Sequence, residues 1–186
     1  MKKIGLLFAT LAVIAIVFSG CLTVEQKEYT IDMTSKNAGK LTIKYINIMS
    51  SSSSDTIDSA PDDFDELINK YLNGDEIEKN FPNCTNIKKR AFIENDQLNG
   101  EVTMDFKDIK DIKLFQYKGK GPYMMSTGAF SSMESFVSSN GEYGGETMPV
   151  VFWDKKNKKL ILTCSVTKPD DKTNSLAHLY KKWEAK

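Results

Sequence analysis

The chain has 186 residues and carries 25 basic and 25 acidic side chains, so its formal net charge at neutral pH is zero. This length suits one domain of ordinary size, large enough to bury a substantial core. A near-neutral composition argues against a nucleic acid as partner, because nucleic-acid binding requires a clustered basic face.

The start of the chain has the organisation of an export signal. Lys2 and Lys3 give a basic beginning, a largely apolar run follows over residues 4–18, and small residues precede Cys21. A basic start, an apolar middle and small residues before a cleavage point are typical of signal peptides. The apolar run is shorter than the roughly 20 residues that an ordinary membrane-spanning helix needs.

The end of this segment, Phe18-Ser19-Gly20-Cys21, resembles the lipobox of bacterial lipoproteins, with Phe18 where the family usually has Leu. The resemblance implies that the sulfur of Cys21 receives a diacylglycerol and that cleavage removes the residues before it. We therefore expect a signal peptide over 1–20, a lipidated tether over 21–27 and a single domain over 28–186. The alternatives are a plain signal peptide and an N-terminal anchor helix.

The same resemblance implies a location outside the cytoplasm, in the periplasm or at the cell surface. Residue 22 is Leu. In bacteria with two membranes, the absence of Asp at this place favours the outer membrane over retention in the inner one. The membrane, reached through the lipid on Cys21, is accordingly the first partner that we expect.

The first part of the body predicts a β-hairpin and then a helix. Apolar and polar residues alternate over 29–33 and 41–45, and a turn-forming cluster that ends at Gly39 separates the two runs. Consecutive serines over 50–54 indicate a solvated loop. Pro61 begins a helix with one apolar stripe, formed by Phe64, Leu67, Ile68, Tyr71 and Leu72.

The remainder predicts further strands and a final helix. Strand patterns occupy 87–93, 102–106 and 114–117, and the runs 150–153 and 160–166 flank a lysine-rich turn as a second hairpin. The last helix has the apolar stripe Leu176, Leu179, Tyr180 and Trp183. These elements predict an α+β fold, a mainly antiparallel sheet of hairpins with two amphipathic helices packed on one face. In element order alone, this body resembles small α+β surface lipoproteins.

The segment 126–147 differs from the rest because it is rich in glycine and serine with scattered apolar residues. One interpretation is a loop that returns its aromatic side chains to the core. The other is a mobile loop that presents apolar side chains to a partner or ligand. The candidate contact residues are Phe130, Met133, Phe136 and Tyr143.

Two further cysteines, Cys84 and Cys164, lie in the body. An exported chain can keep a disulfide between them. Cys164 also alternates with Leu160 and Leu162, which is the pattern of a small core residue on a strand. Both a disulfide and two buried thiols are therefore compatible with the sequence, and neither cysteine has a nearby histidine to form a metal site.

No catalytic spacing is visible in the chain. His178 is the only histidine, no serine lies in a nucleophile motif, and the carboxylates over 62–66 suit the start of a helix. We predict no cofactor and no metal, and a non-catalytic binding or structural role with an envelope protein or a small apolar ligand as further partner. The alternative is an envelope hydrolase. Two convergent carboxylates in a cleft favour the enzyme, whereas an apolar pocket near 126–147 favours binding.

Overall fold

The computed structural model describes residues 22–51 and 59–185. The signal segment with Cys21 lies outside this description, and so do residues 52–58, which include the rest of the serine run 50–54 predicted as a solvated loop. Ser50 and Ser51 of that run instead end β2, and Ser50 is buried. The strands are β1 Leu22–Met33, β2 Gly39–Ser51, β3 Thr85–Glu94, β4 Gln97–Phe106, β5 Phe115–Gln116, β6 Tyr123–Ser126, β7 Ser135–Ser139, β8 Glu142–Tyr143, β9 Val150–Trp153, β10 Lys159–Ser165 and β11 Thr173–Ser175. The α-helices are α1 Ala60–Glu66, α2 Glu76–Asn80 and α3 Ala177–Glu184.

The fold is α+β, and every strand pairing among the described residues is antiparallel. A seven-stranded sheet has the order β3-β4-β2-β1-β10-β7, with β11 paired to the end of β2. A smaller sheet has the order β5-β6-β9-β8. The mainly antiparallel α+β class predicted from the sequence is confirmed, but the strands form two sheets where a single sheet was expected.

The predicted tether over 21–27 is wrong for its described part, because β1 begins at Leu22. Leu22, Thr23 and Val24 pair with Ser50, Met49 and Ile48 of β2. Val24 is buried in a hydrophobic cluster with Ile48 and Leu98. Burial of this valine and the ladder of backbone hydrogen bonds explain why the segment is a strand. The folded body therefore begins one residue after Cys21.

The first predicted hairpin is confirmed, since β1 and β2 pair over almost their whole length. The second is wrong: β9 pairs with β6 and β8, whereas β10 pairs with β1 and β7. Val151 and Trp153 of β9 are buried in the same cluster as Leu160 and Leu162 of β10. The lysine-rich turn thus carries the chain from one sheet to the other, and both strands contribute to the core between them.

The helix predicted from Pro61 is not one regular α-helix. Its first part, α1, continues directly into a π-helical segment over Leu67–Leu72, in which the amide of Asn73 donates to the carbonyl of Ile68. A one-residue expansion of this kind is rare and frequently occurs near functional sites. No helix within 22–51 and 59–185 is both long and apolar enough to cross a membrane.

Two hydrophobic clusters lie on the same face of the large sheet. On β4, Leu98 belongs to one cluster, while Val102, Met104 and Phe106 belong to the other. These residues occupy alternate positions, so their side chains point to one side of the sheet. The Val102 cluster also contains core residues of the smaller sheet, and the Leu98 cluster contains residues of α1 and α3. Gly100, which lies between Leu98 and Val102 on the same side of β4, separates the two clusters.

The burial of Val24 can be tested by substitution. We expect Val24→Ala to lower the free energy of unfolding by about 1–3 kcal/mol, because it leaves space in a packed cluster. Glu28→Ala, further along β1 and outside both clusters, is the matched control and should change stability by less than about 0.5 kcal/mol. Urea denaturation of the purified chain measures both. If Val24→Ala were as stable as the parent chain, the packing of Val24 at the start of β1 would not contribute to the stability of the fold.

Candidate functional site

A groove of about 370 Å³ opens between the two hydrophobic clusters. Its floor follows one row of cross-strand partners through four strands of the large sheet. Ala91 of β3 lies opposite Gly100 of β4, Gly100 opposite Tyr45 of β2, and Tyr45 opposite Lys27 of β1. All four residues line the groove. The groove is therefore built into the register of the sheet.

Small residues at the β3 and β4 positions of this row keep the groove open. Gly100 is buried and occupies the inward-facing position between Leu98 and Val102. A Cβ atom placed on it would lie 3.2 Å from Cδ1 of Ile48. A glycine inside a strand often marks a place where another group approaches the backbone closely. Because Gly100 and Ala91 add so little bulk, the two clusters do not close over the sheet at this row.

The opposite wall comes from the helical segments. Leu67, Tyr71 and Leu72 of the π-helical segment line the groove, together with Ile77 and Phe81. Tyr71 packs against both clusters. Burial raises the pKa of Tyr71, so this phenol is neutral at physiological pH. The wall is accordingly apolar and aromatic.

An irregularity in the β1–β2 ladder sets the orientation of the residues at one end of the groove. Asn47 interrupts the alternation of β2, has a φ of 55° and is buried. Its amide donates to Oδ1 of Asn99 at 3.0 Å, and its side chain donates to Glu25 at 2.8 Å. These contacts stabilise an otherwise unfavourable backbone conformation. Tyr45 before the irregularity and Ile48 after it both line the groove as a result.

A buried carboxylate lies beside one end of the floor. Oε1 of Glu134 accepts hydrogen bonds from Lys27 Nζ at 2.8 Å and from the Tyr29 hydroxyl at 2.9 Å. The Glu134 side chain is fully buried, and no described donor lies within hydrogen-bond distance of its Oε2. Burial, reinforced by the charge of Glu134, raises the pKa of Tyr29. Burial raises the pKa of Tyr45 as well, so both phenols stay protonated.

The remaining charged groups of the lining are mainly basic. Lys89 contacts Glu78 at 3.0 Å and donates to the carbonyl of Gly74, while Arg90 donates to Glu101 at 2.8 Å. Glu101 is the one acidic residue among the lining side chains, against the three cations Lys27, Lys89 and Arg90. Each of these cations contacts a carboxylate, so the groove combines an apolar interior with charged groups that are already paired.

The four predicted contact residues occupy different places. Met133 lines the groove and is 60% exposed. Phe130 instead packs into the core, stacked on Tyr29 with ring centroids 5.0 Å apart. Phe136 and Tyr143 stack on each other at 3.9 Å, against the edge of the core. The loop thus returns most of its aromatic side chains to the core and leaves Met133 at the groove.

Cys84 and Cys164 are free, buried thiols in the structure. Burial raises the pKa of Cys84 to about 11 and that of Cys164 to about 12, with nearby carboxylates adding to each shift. A thiol of this kind is protonated at neutral pH and a poor nucleophile. Both side chains accordingly serve as small core residues.

Among the described residues, Glu101 is the one acid that lines the groove, so no pair of lining carboxylates is seen there. Asp63 is buried and accepts from Ser50, away from the lining. His178 is exposed on α3, with Nδ1 3.2 Å from the carbonyl oxygen of Ser175. Within the described residues, no group of three or more potential ligands could hold a metal ion.

No known protein family, curated protein or solved structure matches this chain. The sequence pattern indicates Met133 as a contact candidate, but it does not indicate the floor of the groove. The available signal was Gly100, which falls in the inward-facing register of Val102, Met104 and Phe106. The Lys27–Glu134 contact joins residues 107 positions apart and leaves no local pattern.

The buried contact between Lys27 and Glu134 should be important for stability. We expect Glu134→Ala to lower the free energy of unfolding by about 3 kcal/mol, because it leaves a largely buried ammonium group unpaired. The double variant Lys27→Met/Glu134→Met should recover much of this loss, since no unpaired charge remains. Glu66→Ala, which removes the exposed contact with Lys70, is the control and should cost less than about 1 kcal/mol. Urea denaturation measures the free energy of unfolding of each variant. Equal losses of stability in Glu134→Ala and Glu66→Ala would contradict the assignment of Lys27 and Glu134 as a buried pair.

Proposed function

We propose that the protein is a membrane-anchored lipoprotein of the cell envelope whose body has a non-catalytic role, binding the acyl chain of a single-chain amphiphile in the groove. The observation that carries the ligand assignment is the groove over Gly100, with its apolar and aromatic walls. Ligand sites of this size class are concave, mostly apolar and carry few polar groups. A fatty acid has the matching chemistry.

The proposed anchor supports the choice of a membrane amphiphile. Leu22, Thr23 and Val24 line the groove, and Leu22 is bonded directly to Cys21. Lipid attached to Cys21 would therefore hold this end of the groove close to the bilayer. Two or more acyl chains give stable membrane binding, whereas a single chain is marginal. The location remains extracytoplasmic, in the periplasm or at the cell surface.

The proposal includes the packing of the two predicted amphipathic helices on one face of the sheet. Phe64 of α1 and Tyr180 of α3 share a cluster with Leu98 of β4. The hydroxyl of Tyr180 also donates to the carbonyl of Ala91 at 2.8 Å. In this arrangement α1 and α3 form one rigid cover, and the π-helical segment that follows α1 forms the wall of the groove.

Filling the groove should abolish ligand binding. We expect Gly100→Leu to weaken the binding of a dansyl-labelled fatty acid at least tenfold, because the new side chain occupies the floor. The clash it introduces is with the flexible end of Ile48, so the fold should persist. Thr103→Leu, three positions along β4 and facing the opposite side of the sheet, is the matched control and should bind as the parent does.

Fluorescence titration measures the affinities, and circular dichroism verifies the fold of each variant. Equal binding by the parent, Gly100→Leu and Thr103→Leu would place the fatty acid elsewhere and refute the groove as its site.

The anchor is tested independently of the ligand. Cells expressing the parent chain and given a clickable fatty acid should yield labelled protein, and Cys21→Ser should abolish the label. Cys84→Ala is the matched control and should remain labelled, because a buried thiol is not an attachment site. Label that persists in Cys21→Ser would contradict attachment at this residue.

A further inference from the structure

A second concavity lies at the opposite end of the large sheet from the groove. Its volume is about 310 Å³. Three turns surround it: the β1–β2 turn with Lys36, the turn before β6 with Lys120, and the connection between β9 and β10 with Lys155 and Lys158. Residues far apart in sequence thus converge on one basic site.

The charge of this site is uncompensated. Of the residues that the structure describes, four lysines line it and no acidic residue does. None of the four forms an ion pair with a described residue, whereas lysines elsewhere, such as Lys79 and Lys89, do. Like charges held in one concavity repel each other, and an anion placed among them would relieve that repulsion. The electrostatic environment of this site therefore favours the binding of an anion.

The floor of the concavity is fixed by hydrogen bonds. The hydroxyl of buried Tyr123 donates to the carbonyl of Lys36 at 2.8 Å, and Nε2 of Gln116 donates to the carbonyl of Gly121 at 2.8 Å. Oε1 of Gln116 is a buried acceptor that has no described hydrogen-bond donor. Such an acceptor is commonly completed by a donor such as water. Two of the three turns are therefore held in place before any ligand binds.

Lys36 is positioned further by Gly119. The Nζ atom of Lys36 lies 3.2 Å from the place where a Cβ on Gly119 would stand. Gly119 has a φ of 62°, a conformation that favours glycine. The ammonium group can lie this close to the turn because no side chain intervenes.

We propose that this basic concavity binds the phosphate group of a soluble phosphorylated ligand, such as a glycerol or sugar phosphate. A phosphate monoester carries nearly two negative charges on three acceptor oxygens, which suits several ammonium groups arranged around a small volume. A carboxylate has one charge and pairs best with the planar fork of arginine, and no arginine is among the described residues that line this site. The cavity has the size of a small-ligand pocket.

The position of the site favours a soluble source over a bilayer headgroup. The twelve residues of β1 separate Met33, in the lining, from Leu22 at the other end. At about 3.3 Å per residue, this separation is roughly 35 Å. With the proposed anchor at Cys21, the lysines would lie on the side away from the membrane. Binding itself depends on the lysines and not on the anchor.

The test is a titration of the full chain with glycerol 3-phosphate, with binding measured by isothermal titration calorimetry. We expect saturable binding that weakens as ionic strength rises. Lys36→Gln/Lys158→Gln should weaken it at least tenfold. Lys107→Gln/Lys182→Gln removes two exposed lysines that lie outside the site and form no ion pair among the described residues, and it should bind as the parent does. Circular dichroism verifies that both double variants fold.

Three outcomes would overturn the proposal. The first is an absence of saturable binding to the parent chain. The second is equal weakening in both double variants, which would indicate a general charge effect. The third is site-dependent binding to vesicles that contain phosphatidic acid but none to glycerol 3-phosphate, which would assign the site to a lipid headgroup. Binding of glycerol without its phosphate serves as the blank and should be undetectable.

Discussion

On one face of the large sheet, the side chains of β4 divide between two hydrophobic clusters, and this division shapes the rest of the molecule. One cluster contains core residues of the smaller sheet, and the other contains residues of α1 and α3. The clusters meet at the row that runs through Ala91, Gly100, Tyr45 and Lys27. Because Ala91 and Gly100, at the β3 and β4 positions of that row, are small, the junction is a groove with a preformed shape, and the architecture itself supplies a concave apolar site.

The electrostatic organisation follows from the same geometry. Tyr29 and Lys27 project from β1 toward the segment that joins β6 to β7, and Glu134 from that segment lies between them. A carboxylate buried in this way is costly unless charged and hydrogen-bonded partners surround it. Phe130, from the same segment, stacks on Tyr29. A glycine- and serine-rich segment is thereby ordered by one aromatic and one ionic contact with the same strand.

Local patterns predicted the features that depend on neighbouring residues. Alternation located the β1–β2 hairpin, β3 and β4, and an apolar stripe located α1 and α3. Local patterns did not predict the features that depend on distant partners. The first residues of β1 are stabilised by Ile48 and Met49. Strands β9 and β10 belong to different sheets although a short turn joins them. A strand pattern indicates a buried side, but it does not specify which sheet the strand joins. The π-helical expansion of the first helix has no distinct pattern either.

The start of β1 at Leu22 has a consequence for how strongly the groove needs to bind. Under the proposed attachment, a covalent tie of one residue joins the groove to the bilayer and makes the encounter with membrane amphiphiles effectively intramolecular. Short connections of this kind correspond to effective concentrations in the millimolar range. An intrinsically weak site would then be substantially occupied at the membrane and nearly empty in free solution. The fraction of protein with ligand in the groove would then depend on whether the protein is at the membrane, without a conformational change.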